Sequence, residues 1–162
     1  MALPAFPTSS MIGADFGSTS TTALFALRTK AFGSEGTEWM YAHSNTAHTT
    51  GQLVGINSVG TCINATTAVA TSGTYDLGFI GSVAWTAGDY GWVCNRGLAY
   101  VQCSGTCVPN TQLYVANGPG ALSTTAGSGT LMGIELQVSS STASLVVTTA
   151  ILTWPRSVPG LG

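Results

Sequence analysis

With 162 residues and a formal net charge of −2, the chain suits one domain of ordinary size. Only 6% of its residues are charged, against roughly 25% in an average soluble domain, while Ser and Thr supply about a quarter. No apolar run approaches the length of a bilayer span, which argues against a membrane partner. The basic residues are scattered along the sequence, which argues against nucleic acid: Arg28, Lys30, Arg96 and Arg156.

The first 20 residues predict an extended arm, because Pro4 and Pro7 interrupt any regular period. Apolar side chains along such an arm need a surface to cover them. A frayed terminus is the alternative. The start lacks the basic and uninterrupted apolar parts of a signal peptide, so we expect synthesis in a cytoplasm. We expect five apolar residues to anchor the arm on a partner or a neighbouring copy: Leu3, Phe6, Met11, Ile12 and Phe16.

Beyond the arm, residues Thr21–Leu27 (TTALFAL) predict a first strand, rich in apolar and β-branched side chains. Residues Arg28–Gly36 predict the turn of a long hairpin, and Thr37–His43 (TEWMYAH) predict its returning strand. Two short strands are expected next, at Gln52–Ile56 and Val59–Ile63.

The middle of the chain predicts a second hairpin. Residues Ala65–Thr74 predict a loop with a short strand, and strand character resumes over Tyr75–Ala84. The stretch Gly88–Cys107 (GDYGWVCNRGLAYVQCSGTC) then alternates large and small residues on both sides of Asn95-Arg96-Gly97. A three-residue loop that ends in Gly is typical of a tight hairpin turn. This central hairpin is the element around which we expect the rest to be organised.

The last third predicts four more strands between glycine-rich turns. Pro155 and Pro159 should end regular structure. The strands are expected at Gln112–Val115, Ala121–Ser123, Thr130–Val138 and Leu145–Trp154.

Short strands with frequent turn signals predict an all-β fold with little helix. We expect a compact β-barrel or β-sandwich built from hairpins, with an extended N-terminal arm. The arm should cover residues 1–20, a single β domain residues 21–156, and a C-terminal tail residues 157–162.

The four cysteines predict small buried hydrophobes, because thiols in a cytoplasm are usually reduced. Cys103 and Cys107 are close enough in sequence for a disulfide, and this alternative stays open. Zinc would need a second close pair, which Cys62 and Cys94 do not form.

No pattern predicts catalysis, a cofactor or a metal. His43 and His48 are five apart, which fits neither one helical face nor one strand face, so we expect two solvated histidines on a loop. Serine nucleophile, paired-carboxylate and phosphate-loop signatures are missing from the sequence. Core packing is favoured over a sugar-binding platform for the tryptophans, which lie in or beside predicted strands: Trp39, Trp85, Trp92 and Trp154.

Three passages together resemble a known family. They are FGSEGTEWMYAH (residues 32–43), AGDYGWVCNRGLAYVQCSGTCVPNTQLYVANGPGAL (residues 87–122) and the closing TWP (residues 153–155). This pattern of glycine turns and aromatic strands resembles the head decoration, or cement, proteins of tailed bacteriophages. The resemblance covers about two-thirds of the chain.

The resemblance implies a virion protein on the outer surface of a capsid. Its partners would be the major capsid protein and itself, commonly as a homotrimer at threefold positions, and it would have neither enzymatic activity nor a cofactor. A weakly charged surface suits dense packing of copies. The alternative is a receptor-binding module of a tail fibre or adhesin that recognises surface glycans through exposed tryptophans.

Overall fold

The computed structural model describes residues 14–116, 120–126, 129–140 and 145–158. Strands dominate these residues, and the helical elements are one 3-10 turn, Ser34–Gly36, and one five-residue helix, α1, Thr67–Thr71. The predicted all-β class is therefore confirmed. The ten strands are β1 Lys30–Phe32, β2 Glu38–Ser44, β3 Leu53–Ile56, β4 Thr61–Asn64, β5 Asp76–Ile80, β6 Tyr90–Ser104, β7 Leu113–Val115, β8 Leu122–Ser123, β9 Thr130–Leu136 and β10 Leu145–Val158.

The ten strands form one mixed sheet, and their pairings make two closed rings that share β6. In the first ring, β2, β4, β3 and β5 pair in that order and the N-terminal half of β6 joins β5 back to β2. In the second ring, the C-terminal half of β6 pairs with β10, followed by β9, β7 and β8, and β8 returns to β6. Each ring contains one parallel pair, β2–β4 and β6–β8.

Each ring encloses apolar side chains from all of its strands. A buried cluster in the first ring holds Met40 of β2, Cys62 of β4 and Ile80 of β5, together with Val54 and Val93. In the second ring, Val101 of β6 belongs to a larger buried cluster with residues of the other four strands of that ring, among them Leu113, Leu122, Leu131 and Ala150. Alternation of side chains along each strand supplies these interiors.

The central hairpin prediction was wrong, because Gly88–Cys107 contains the single 15-residue strand β6. Trp39 pairs with Cys94 while Glu38 pairs with Arg96, so Asn95 is an extra residue and forms a β-bulge. Gly97 then has a φ of +87°. The turn-like sequence therefore bends a continuing strand, which changes partners from β2 and β5 to β10 and β8 at this point.

Three other expectations were also wrong. Thr21–Leu27 forms no strand, since the partners of β2 are β1, β4 and β6 and the segment instead lies over the aromatic side chains of β2 and β6. Ala65–Thr74 contains helix α1, whose first turn is capped by the Thr66 hydroxyl, 3.3 Å from the Val69 amide nitrogen. Pro155 does not end β10, because the register with β9 shifts between Leu152 and Arg156 and pairing resumes to Val158.

The remaining strand predictions were confirmed to within a few residues, including β2, β3, β4, β5 and β7 to β9. The first predicted hairpin has a different first strand. β2 pairs with β1, which lies inside the segment that was expected to be the turn. Residues 157 and 158, expected in the tail, belong to β10. Pro159 lies outside the described residues.

Candidate functional site

The end of the predicted arm is attached to the body of the molecule. Ala14 and Phe16 are buried in the larger apolar cluster. The Phe16 ring stacks on Trp39 with 5.0 Å between centroids and meets Trp92 edge-on at 5.4 Å. Ser20 exchanges two backbone hydrogen bonds with Tyr90. Phe16 is thus covered by its own chain rather than presented to a neighbour.

The other four predicted interface residues, Leu3, Phe6, Met11 and Ile12, lie outside the described residues. Their role at an interface stays a prediction.

An exposed apolar strip runs along the outer face of β10. Leu145 and Ile151 are 49% and 41% exposed, and Val147 between them is half-buried. All three lie on the face opposite Ala150 and Leu152, which are in the core. Ile151 pairs with the half-buried Leu98 of β6. These four residues, named here the β10 strip, extend over about 20 Å of strand.

A cleft of about 310 Å³ opens beside the bulge of β6. Its wall brings together the ends of β1, β2, β5 and the irregular part of β10. Residues from these elements are far apart in the sequence, so their spacing gives no signal of a shared site. We name it the Trp154 cleft, and its polar and aromatic lining includes Lys30, Glu38, Asp76, Asn95, Trp154 and Arg156.

Every basic side chain of the protein lies in or against the Trp154 cleft. Lys30 lines it and forms an ion pair of 2.7 Å with Glu38, while Arg28 outside it pairs with Asp76 at 2.5 Å. The Arg96 guanidinium lies 4.6 Å from the centroid of the Trp154 ring, and Arg156 lines the cleft with its side chain exposed. The charged lining residues balance, with Lys30 and Arg156 against Glu38 and Asp76, so the positive excess around the cleft comes from Arg28 and Arg96 beside it, although the whole chain has a net charge of −2. The four basic residues are scattered along the sequence, but the fold brings them together at one part of the surface.

Asn95 brings a buried polar group to the lining of this cleft. Its side chain lies at the bulge and is buried, and its Nδ2 donates a hydrogen bond of 2.8 Å to the carbonyl oxygen of Leu77. Its Oδ1 is buried and accepts no hydrogen bond from the described residues. A buried acceptor without a donor is costly, so the bulge carries an energetic penalty at this atom.

Trp154 departs from the core packing expected of all four tryptophans. Trp39, Trp85 and Trp92 are buried, as predicted, but Trp154 is 52% exposed. Its φ is +52°, a left-handed conformation that is unusual for a bulky residue. Backbone strain of this kind is concentrated at functional sites.

The prediction of two solvated histidines was wrong. His48 is buried, and 2.6 Å separates its Nε2 from the Ser44 hydroxyl oxygen. The Cys62 sulfur lies 3.6 Å from the same nitrogen. Burial lowers the pKa of His48 below its usual value. His43 is on β2 with its ring 4.4 Å from that of Tyr90, so neither histidine is on a solvated loop.

All four cysteines are buried free thiols, as the sequence predicts, and the alternative disulfide between Cys103 and Cys107 is not formed. Burial raises the pKa of the Cys94 and Cys103 thiols to about 12. Such thiols are poor nucleophiles and metal ligands at neutral pH. Among residues 14–116, 120–126, 129–140 and 145–158, no group of His, Cys, Asp and Glu is arranged to hold a metal ion.

In the described part of the chain, no helix is long and apolar enough to cross a membrane. No protein-family model and no curated protein matches the sequence. Among solved structures, the chain is similar to the head fiber gp8.5 N base in bacteriophage phi29, with 8% sequence identity and a TM-score of 0.45. The match covers 73% of this chain and 95% of that chain. Similarity at that level is too low for us to infer a function from it.

Proposed function

We propose that the protein is a structural component of a bacteriophage virion that binds the outer surface of the capsid as a decoration protein. The resemblance of its glycine-turn and aromatic-strand passages to that family supports the proposal. It acts without enzymatic activity or a cofactor, and its partners are the major capsid protein and further copies of itself in a homotrimer.

The observation that carries the proposal is the β10 strip. Leu145 and Ile151 are large apolar side chains exposed on a regular strand, where a monomeric protein would normally place polar residues. The strip also contains the half-buried Val147 and Leu98 and no charged side chain, and the buried Thr149 separates Val147 from Ile151 on the same face. We assign it to contact with a capsid subunit.

Weak contacts of this kind give lasting attachment when several act together. A trimer that engages several capsid subunits converts a modest affinity at each strip into a high overall avidity. Only ten side chains of the chain are charged, so neighbouring copies repel each other little on a crowded shell.

The strip is tested by placing charges on it. We expect the double variant Leu145→Asp and Ile151→Asp to bind purified heads of the parent phage at least a hundredfold more weakly, because burying an unpaired carboxylate costs roughly 3–5 kcal/mol. Occupancy is measured by gel densitometry of heads after incubation and sedimentation.

The matched control is Val59→Asp, which adds a charge at an apolar residue that is 67% exposed in the turn between β3 and β4. It should bind as the unmodified protein does. Full occupancy by the double variant would contradict the assignment of the strip. A copy number of a few per virion, rather than hundreds, would favour the tail-fibre alternative.

A further inference from the structure

We infer that the Trp154 cleft binds a saccharide that carries a negative charge. This binding site is additional to capsid attachment and is independent of it, because its lining residues are not part of the β10 strip. The cleft volume of about 310 Å³ is within the range of small-molecule sites, roughly 300–1,000 Å³.

The aromatic part of the site is Trp154. The Arg96 guanidinium is stacked 4.6 Å from the ring centroid and fixes the indole, yet the side chain remains 52% exposed. The ring lies against Arg96, and the exposed part of the side chain is accessible to a ligand in the cleft that it lines. An amphipathic aromatic face of this kind packs well against the C–H surface of a sugar ring.

The polar groups around Trp154 can pair with hydroxyl groups in both directions. Glu38 and Asp76 offer carboxylate oxygens that accept hydrogen bonds, while Lys30 and Arg156 offer donors. A hydroxyl both donates and accepts, so a polyhydroxylated ring satisfies this mixed lining.

The charges decide which saccharide fits. Lys30 and Arg28 are neutralised by Glu38 and Asp76, respectively. Arg156 in the cleft wall has no ion pair within the described residues, and Arg96 contacts an aromatic ring rather than an acid. Their two charges favour a carboxylated or phosphorylated sugar over a neutral one.

An acidic peptide fits these charges less well. It would bring carboxylates towards Glu38 and Asp76, whereas sugar hydroxyls donate hydrogen bonds to them. A peptide also does not present the flat C–H face that matches an open indole.

Binding is measured by saturation-transfer NMR and by quenching of tryptophan fluorescence, to which the exposed Trp154 should respond most. The probes are methyl β-D-glucuronide, glucose 6-phosphate and neutral methyl β-D-glucoside. We expect the two charged sugars to bind at least about fivefold more tightly than the glucoside, with dissociation constants of about 1 mM or lower. Comparing the two charged probes shows whether a carboxylate or a phosphate is preferred.

Two variants separate the roles of the ring and the charge. Trp154→Gly suits the left-handed backbone at residue 154, so the variant should fold, and it should bind every sugar roughly tenfold or more weakly. Arg156→Gln keeps a hydrogen-bond donor but loses the charge, so it should remove the preference for charged sugars and weaken binding of methyl β-D-glucoside much less. Val59→Ala, at an exposed residue in the turn between β3 and β4, is the control and should bind all three probes normally.

The inference is overturned if neither charged sugar gives a saturable signal at roughly 10 mM, well above the expected dissociation constants. It is also overturned if the charged and neutral sugars bind alike, or if an acetylated Asp-Asp amide binds as tightly as the glucuronide. Trp154→Gly should still occupy heads fully, so failure of the sugar site and failure of capsid attachment give different results.

Discussion

At the scale of single residues, side chains of the same type have different surroundings in the structure. Three tryptophans are buried and one is exposed, because Trp154 lies at the irregular part of β10 next to Pro155. Asn95 and Gly97 belong to a bulge rather than to a turn. These are differences of local backbone conformation that residue type alone does not specify.

His48 should make the protein less stable in acid. Burial lowers its pKa, so as pH falls below the unfolded value of about 6.5 the unfolded chain takes up a proton before the folded one does. Stability from this group is thus complete above pH 6.5 and is lost as pH falls towards the folded pKa, by at most about 1.4 kcal/mol per pH unit. Urea unfolding of wild type and His48→Gln between pH 7 and 5.5 measures this loss.

The variant should be less stable at pH 7, because the Ser44 hydroxyl loses its imidazole partner, but its stability should change less over the same pH range. His43→Gln serves as the control and should keep the slope, since it retains His48. Parallel pH profiles for wild type and His48→Gln would show that another group is responsible.

At the scale of secondary-structure elements, β6 organises the molecule, although as one strand instead of two. Its N-terminal half completes the first ring and its C-terminal half completes the second. The bulge at Asn95 and the left-handed Gly97 separate the two halves. A bulge bends the strand and increases its local twist, which allows β6 to pair with the strands of both rings.

Gly97→Ala should therefore be strongly destabilising. A Cβ at this residue would lie 2.7 Å from the Thr37 Cγ2 and 2.9 Å from its Cα, and φ is +87°. Gly88→Ala is the matched control, because φ is +94° there but nothing lies within 4 Å of the added carbon. Both variants should lose roughly 1–2 kcal/mol from the left-handed conformation, and Gly97→Ala about 1–3 kcal/mol more from the clash. Equal losses in chemical denaturation would show that β6 can shift away from Thr37.

At the scale of the whole molecule, the end of the predicted arm belongs to the folded body. Phe16 and Ala14 pack within the body, so they contribute to folding. Leu3, Phe6, Met11 and Ile12 precede them outside the described residues, and their attachment to a partner stays a prediction. The packed part of the chain therefore already includes Ala14, before the predicted end of the arm at residue 20.

Deleting residues 1–13 should leave a folded protein that binds heads poorly. The truncated chain keeps the stack of Phe16 on Trp39, so its thermal unfolding, followed by circular dichroism, should stay cooperative with a midpoint close to that of the full chain. Its occupancy on purified heads should fall, because the proposed arm contacts are lost. Full occupancy would refute the role of the arm.

Phe16→Ala in the full-length protein is the complementary control. It should lower the free energy of unfolding by about 3 kcal/mol, the cost of removing a buried aromatic side chain. A truncated protein that unfolds like this variant would show that residues 1–13 also belong to the folded body.

The sequence by itself determined the all-β class, most strand positions and the burial of the cysteines. These follow from local properties: period-two alternation, β-branched and aromatic residues, and glycine-rich turns. It also placed three tryptophans correctly in the core, since large apolar residues on paired strands have a buried face available to them.

Only the tertiary structure decided that Asn95-Arg96-Gly97 continues a strand, because bulges and turns use the same residue types and differ in which partner strands are present. It likewise decided that Arg28, Lys30, Arg96 and Arg156 surround one cleft. Residues distant in the sequence meet where two rings share a strand, and strand pairing is set by long-range packing that no local pattern encodes.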